Sequence, residues 1–420
     1  MVWQATRRQQ PNTPTFGVLL SADGVSGRRS GIGRMTLEIA RRLRDPSVRN
    51  ATLSGAAGLA DIALLVGDSV AATDLLDRLT DAQDTPPGAA RAALAHALAM
   101  ASRCPSVVAL HAWRLRRRLD HTARDMAQRI GGRVVYHESN LIARPFDGAT
   151  VVTVHDLSWR ADPALHPPER VSWIERRLPA TLRQATRFVS VSEFTARAMV
   201  TELGIDRRRI DVVPPGVSSM FRPIEASAAA AVLARYHLVD RAYILAVSTL
   251  EPRKNFDRLL AAHACLPAAL RARMPLVIAG GRGWGNSLDD DRASRAQCDG
   301  SLRLLGHVRD ADLVALYARA AVVAYPSLYE GFGLPVLEAM ACAVPVVTSG
   351  TTALRDTAGD AALLVDPLDT EAIATALLRV VEDTQLADTL RTRGPAHAAC
   401  FTWDRMVAGM IESWRTTLAA

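Results

Sequence analysis

Glu330 and Glu338 stand eight positions apart in the run Tyr325-Pro326-Ser327-Leu328-Tyr329-Glu330-Gly331-Phe332-Gly333-Leu334-Pro335-Val336-Leu337-Glu338. The first glutamate sits in a glycine-bearing loop. The second falls about one turn inside the helix that Pro335 is suited to open, because a proline at the first helical position lacks only an N–H that would have no partner there. Gly331 and Gly333 let backbone N–H groups crowd toward the helix N-terminus, a ready anion site. Carboxylates at two depths of one cleft suit the hydroxyls of sugar and ribose, and the N–H groups between them suit phosphate. Upstream, Thr249-Leu250-Glu251-Pro252-Arg253-Lys254-Asn255 places adjacent cations between an apolar strand and a helix of about Phe256 to Ala264. Lys254 is the only lysine in the chain; every other basic side chain is arginine. A flat guanidinium fork beside a compact ammonium can grip a diphosphate from two sides. Taken alone, Arg253–Lys254 also reads as a solvated charge pair. With the glutamates, it reads as a layout for holding a nucleotide sugar.

These loops need strands to position them. Apolar runs near Phe16–Leu20, Ile62–Val66, Val107–Leu110, Arg133–Tyr136, Val151–Val154, Arg187–Val191 and Arg209–Val213 supply a first sheet. Runs near Tyr243–Ser248, Leu276–Ala279, Leu302–Leu305, Ala321–Tyr325, Pro345–Ser349 and Ala362–Val365 supply a second. Helical segments alternate with both sets, which predicts α/β architecture with two doubly wound parallel sheets. A helix is expected from about Pro105 to Ile130, in competition with the strand at Val107–Leu110, and the Ala/Leu/Asp-rich stretch 51–101 reads as mainly helical. A chain of 420 residues exceeds what one core usually serves, so two domains are expected. The predicted division is a disordered lead-in over 1–15, an acceptor-side domain over 16–220, a nucleotide-sugar-binding domain over 221–402, and a final helix over 403–420 that packs back on the first domain.

Hydrophobic residues make up 49 % of the chain and charged ones 22 %, an ordinary globular balance. No apolar run reaches the ~18 residues of a spanning helix, and the polar N-terminus lacks the apolar core of a signal peptide. The five cysteines lack metal-ligand spacing and read as reduced, mostly structural residues of a cytoplasmic protein, Cys342 being a small core residue. A formal charge of +7 raises nucleic-acid binding, but no basic segment is interleaved with the aromatics that a stacking platform needs. The densest cluster, Arg114-Leu115-Arg116-Arg117-Arg118-Leu119, has two readings. One is a solvated helix with an apolar inner face. The other is a peripheral-membrane patch in which Trp113, Leu115 and Leu119 lie beneath cationic side chains.

In order and spacing, these segments resemble the retaining glycosyltransferases of family 4 (group 1), which have the GT-B fold. The resemblance spans nearly the whole chain. It includes Gly31-Ile32-Gly33-Arg34, Val151-Val152-Thr153-Val154-His155-Asp156-Leu157-Ser158, Val191-Ser192-Glu193-Phe194-Thr195, Arg209 to Val217, Thr249 to Asn255, Leu276 to Gly281 and the glutamate pair. It implies two Rossmann-like domains facing a cleft, with the donor held between them. Glu330 then lies beside the donor sugar, Glu338 takes the ribose hydroxyls, and Arg253 and Lys254 hold the diphosphate together with the backbone of Gly331, Phe332, Gly333 and Leu334. Val308 holds the base through its backbone, Gly33 approaches the donor phosphate or acceptor, and His155 reaches the donor sugar. His137 and Asp156 fall on the acceptor side. Glu251 is placed to orient Arg253 or Lys254, and Trp284 to form the pocket wall; His111 and His166 are read as surface or core residues.

Many relatives carry a Gly–Arg pair directly after the first strand of the second domain. Here Ser248-Thr249 stand there, a pattern resembling bacterial mannosyl- and rhamnosyltransferases of surface-polysaccharide and O-antigen assembly. The resemblance implies hexosyl transfer with retention from a nucleotide-diphosphate sugar, with GDP-mannose the leading donor, to a sugar or lipid-linked glycan at the inner face of the cytoplasmic membrane. It implies no metal, no separate cofactor and no nucleic acid. Asp289-Asp290-Asp291 reads as an exposed polar tip. The alternatives are rhamnosyl or glucosyl donor specificity, or a nucleotide-sugar epimerase of the same architecture. Gly31-Ile32-Gly33 lacks the third glycine of a dinucleotide oxidoreductase.

Overall fold

Short runs of Val, Ile, Leu and Ala form the strands; the central ones, such as Phe16–Ser21, Thr150–Val154, Leu276–Ala279 and Val322–Tyr325, are buried on both faces, where branched side chains pack well against a pleated surface. The computed structural model describes residues 15–22, 31–44, 59–66, 69–71 and 105–420. The first sheet comprises β1 (Phe16–Ser21), β2 (Leu59–Val66), β3 (Ser69–Ala71), β4 (Arg133–Glu138), β5 (Thr150–Val154), β6 (Arg187–Ser190) and β7 (Ile210–Val212), in the order β3-β2-β1-β4-β5-β6-β7. β1 pairs parallel with β2 and β4, β4 pairs parallel with β5, and the short β3 runs antiparallel against β2.

The second sheet comprises β8 (Ile244–Val247), β9 (Leu276–Ala279), β10 (Leu302–Gly306), β11 (Val322–Tyr325), β12 (Val346–Ser349) and β13 (Leu363–Val365). Its order is β10-β9-β8-β11-β12-β13, and its recorded pairs are all parallel. Alternation along the strands builds two cores. Leu245, Val277, Val323 and Val346 enter one, while Ile244, Ile278, Val322 and Val347 enter the other. The order reverses between β8 and β11, and in open parallel sheets the crevice beyond the carboxyl ends of such neighbours is where ligands bind.

The described residues up to Thr153, with Leu178–Val189 and Val407–Ala420, form one compact unit; Val154–Arg177 and Ser190–Met406 form the other. In the first unit, the helix Pro105–Ile130 turns Leu115, Leu119, Ala123 and Met126 onto Leu19, Leu65 and Tyr136. Val107–Leu110 is therefore helical rather than a strand, and Leu115 and Leu119 are core residues that cannot form an interfacial stripe. The helical repeat outweighs the short apolar run, because one long helix buries a continuous face. Of the stretch 51–101, Leu59–Val66 and Ser69–Ala71 are strands. The rest of the reading for 51–101 lies outside the described residues, as do the lead-in before Thr15 and Cys104.

The last helix, Trp403–Ala419, brings Trp414 to β4, where its Nε1 donates to His137 Nδ1 at 3.0 Å. His137 Nε2 meets Thr153 Oγ1 at 2.8 Å, so protein groups take both ring nitrogens and the imidazole is fully buried. His137 is thus a core residue tying this helix to β4 and β5, not a residue lining an acceptor pocket. Cys342 is buried, whereas Cys265, Cys298 and Cys400 are exposed free thiols, so the cysteines are not mostly structural. No described helix is long and apolar enough to cross a membrane.

Candidate active site

Two loops leave the carboxyl ends of β8 and β11 side by side. After β8 the chain makes a tight 3-10 turn, Pro252–Lys254, and Asn255 adopts a left-handed φ of 63° before the helix Phe256–Ala264 begins. Asn255 Nδ2 then donates to Pro326 O at 2.9 Å and to Pro367 O at 2.7 Å. In return, Leu328 N donates to Arg253 O at 2.8 Å, and Ser327 Oγ lies 2.9 Å from the same oxygen. These crossed bonds fix the backbone of one loop on the other, so the side chains they carry meet at defined distances.

Glu330 is the hub. Its Oε1 accepts from Lys254 Nζ at 2.5 Å, Ser327 Oγ at 2.7 Å and Tyr325 Oη at 2.9 Å. Its Oε2 accepts from Arg253 Nη1 at 3.1 Å. Arg253 Nε donates to Glu251 Oε2 at 2.9 Å, and Glu251 Oε1 takes the hydroxyl of Thr249 at 2.7 Å. Lys254, Glu251 and Glu330 are all at least nine-tenths buried. Burial pushes the Glu330 carboxyl up, but Lys254 and Arg253 with their hydrogen bonds outweigh it and hold it at about 2. Burial pulls Lys254 below the usual lysine range against the opposing pull of Glu330. Burial also works against the charge on Arg253, but the carboxylates of Glu330, Asp156 and Glu251 prevail and raise it. Arg253, Lys254, Glu251 and Glu330 thus form a preorganised, hydrogen-bonded cluster whose guanidinium and ammonium are fixed in place.

The glycines let other backbone approach this loop. A Cβ on Gly331 would lie 1.7 Å from His155 O, so only glycine lets that carbonyl lie against the loop. Gly333, at φ 111°, caps the helix Leu334–Ala341, which places Leu334 at the first helical position and Pro335 at the second. Phe332 O accepts from Thr357 Oγ1 at 2.7 Å, which anchors the loop from the far side.

The remaining expected residues are distributed as follows. Glu338 is buried in that helix, with its Oε2 accepting from Tyr317 Oη at 3.2 Å, outside the Lys254–Glu330 cluster. Val308 is buried among the second unit's apolar residues. Asp156 is committed locally, its Oδ1 accepting from Ser158 N at 3.0 Å and Ser158 Oγ at 2.7 Å. His155 is half-buried beside Gly331, and Gly33 lies in the first turn of the helix Gly31–Arg44. Trp284 Nε1 donates to Leu165 O at 2.8 Å, and its ring packs against His166, which is buried. Asp290 caps the helix Asp291–Cys298 through Ala293 N, in keeping with an exposed tip. Sequence reasoning missed Tyr325, Ser327 and Tyr317. The available signal was that a tyrosine in an otherwise apolar strand or helix needs a partner for its hydroxyl when buried.

Two parallel sheets, with a charged cluster at the switch point of the second, define the GT-B class of two-sheet α/β proteins. The solved structure of Anabaena Alr3699/HepE in complex with UDP and glucose has this fold, with a TM-score of 0.65 at 18 % identity over 96 % of this chain and 99 % of that one. The family described as Glycosyl transferases group 1 matches residues 236–397, and Glycosyltransferase Family 4 matches residues 135–219. O-antigen chain mannosyltransferase B of Escherichia coli is 37 % identical over 281 residues, 67 % of this chain and 74 % of that protein. D-inositol 3-phosphate glycosyltransferase of Salinispora arenicola is 33 % identical over 288 residues, 64 % of this chain but 63 % of that protein's length. The chain belongs to the family 4 (group 1) glycosyltransferases and is a retaining hexosyltransferase.

Proposed function

We propose that the protein transfers mannose from GDP-mannose, with retention, to a sugar or lipid-linked oligosaccharide in O-antigen or related polysaccharide assembly. The observation that carries this reading is the Arg253–Lys254–Glu330 cluster at the β8/β11 switch point. The mannosyl specificity is supported by the likeness to O-antigen chain mannosyltransferase B. In this reading residues 16–220 serve the acceptor and 221–402 the donor. As the anomeric bond breaks, negative charge builds on the departing diphosphate oxygen. Arg253, Lys254 and the backbone N–H groups of Gly331, Phe332, Gly333 and Leu334 stabilise that charge, the kind of prearranged electrostatics that usually supplies the largest catalytic contribution. Glu330 meets the donor sugar, Glu338 the ribose, Val308 the base and His155 the sugar hydroxyls, while Gly33 approaches the donor phosphate or the acceptor and Asp156 serves the acceptor side. The phosphate itself helps to deprotonate the attacking hydroxyl. The enzyme works at the cytoplasmic face of an anionic membrane, where the exposed Trp113, with Arg117 4.8 Å over its ring, and the neighbouring Arg114, Arg116 and Arg118 meet lipid headgroups.

Thermal-shift screening against GDP-, UDP-, dTDP- and ADP-sugars tests the donor, since a ligand that binds only the folded state raises Tm by mass action. GDP-mannose should stabilise most and release GDP only when an acceptor is present. Stabilisation by UDP- or dTDP-sugars alone would overturn the donor assignment. Release of an isomerised donor without acceptor would identify an epimerase.

A further inference from the structure

Lys254 has two protein partners among the described residues, Glu330 Oε1 and the phenol oxygen of Tyr325, at 2.5 and 2.9 Å. The phenol works in both directions: it accepts from the ammonium and donates to Glu330 Oε1 at 2.9 Å. Its ring centroid lies 5.3 Å from the same ammonium, close enough for the π-face to favour a cation. Tyr325 is itself fixed. It ends β11, pairs with Thr348 of β12, and its carbonyl accepts from Thr348 Oγ1 at 2.9 Å. A buried ammonium loses its water, so each oxygen that accepts from it decides whether it keeps its proton.

We infer that Tyr325 is a positioning residue for transfer, its phenol oxygen keeping the buried Lys254 ammonium charged and directing the remaining ammonium N–H toward the phosphate of the bound donor. This rests on the proposed role of Lys254 at the diphosphate. The charged groups around Lys254 are Glu330, Arg253 and Glu251. Glu330 favours the protonated amine and Arg253 opposes it; the phenol oxygen, 2.9 Å from the ammonium, is a further acceptor on the side of the charged form. Burial and the neighbouring Glu330 push the Tyr325 hydroxyl well above the usual phenol range, so it stays neutral and available as an acceptor.

Because Lys254 is the chain's only lysine, isotope-labelled lysine gives a single side-chain NMR signal that can be titrated in the intact protein without any activity assay. Tyr325→Phe keeps the ring and removes the oxygen. Its Lys254 midpoint should fall by about one pH unit relative to wild type, the order expected for one lost hydrogen bond to a charged group. Ser327→Ala removes a donor to Glu330 Oε1 without touching Lys254 and should produce no downward shift. Tyr325→Leu is a second oxygen-free variant should the phenylalanine protein not fold. In transfer assays the basic limb of the kcat–pH profile should move down with the NMR midpoint, while the donor KM changes by less than about threefold. An unmoved midpoint in Tyr325→Phe, or an equal fall in Ser327→Ala, overturns the inference. A wild-type protein that transfers from no nucleotide sugar overturns the proposed function and leaves the titration result to stand or fall separately.

Discussion

Glu251 holds Arg253 by its Nε at 2.9 Å, and this bond sets the plane of the guanidinium. Thr249 donates to the other carboxylate oxygen at 2.7 Å. The guanidinium is thus braced by a threonine–glutamate relay. Glu251→Gln keeps the shape but removes the charge. It should raise the donor KM about tenfold, with a smaller fall in kcat, since a charge-assisted bond is roughly twice as strong as a neutral one. Steady-state kinetics checks this, and an unchanged KM would show that Arg253 needs no brace.

Lys254→Ala and Glu330→Ala should each lower turnover by about a hundredfold or more while the protein still unfolds cooperatively. Each variant leaves a buried charge without one partner, which costs about 3–5 kcal/mol, so Tm should fall as well. Glu330 is held at about 2, well below a carboxyl in the unfolded chain. Its contribution to stability is therefore complete above the unfolded value and drains away as pH falls from about 4.5 toward 2. Glu330→Gln should flatten the Tm–pH curve in that window. An equally steep acid limb in the variant would assign acid unfolding to other groups.

His137→Ala strands the Trp414 N–H inside the first unit. An unsatisfied buried donor costs about 1–3 kcal/mol, so Tm should drop. The Tm increment produced by a bound nucleoside diphosphate should equal that of the wild type. A lost increment would return His137 to the ligand site.

The outward face of the helix Pro105–Ile130 tests the membrane reading. Vesicle flotation should recover the wild-type protein with anionic but not neutral lipid. Replacing Arg116, Arg117 and Arg118 together by alanine should remove most of that recovery, since each basic side chain near such a surface is worth about 1 kcal/mol. Equal flotation of the triple variant would end the proposal.

Much of this molecule was legible because its signals are local. Apolar runs of four to six residues, punctuated by glycine and proline, marked the strands of the second sheet within a residue or two, and the loops after β8 and β11 showed their cations and carboxylates directly. Periodicity failed where two local patterns competed, as at Val107–Leu110, where an apolar run reads as a strand until the face it continues along Leu115, Leu119, Ala123 and Met126 is counted.

The sequence by itself determined which side chains stand at the strand ends. Only the tertiary structure decided which of them meet. Lys254 and Glu330 are 76 positions apart and lie 2.5 Å apart because the strand order reverses between β8 and β11. Glu338, eight positions beyond Glu330, turns instead to Tyr317. His137, at the end of β4, is captured by a tryptophan 277 positions away. Such pairings follow from how sheets and helices close around a core, and a buried polar atom takes whichever partner that closure brings to it.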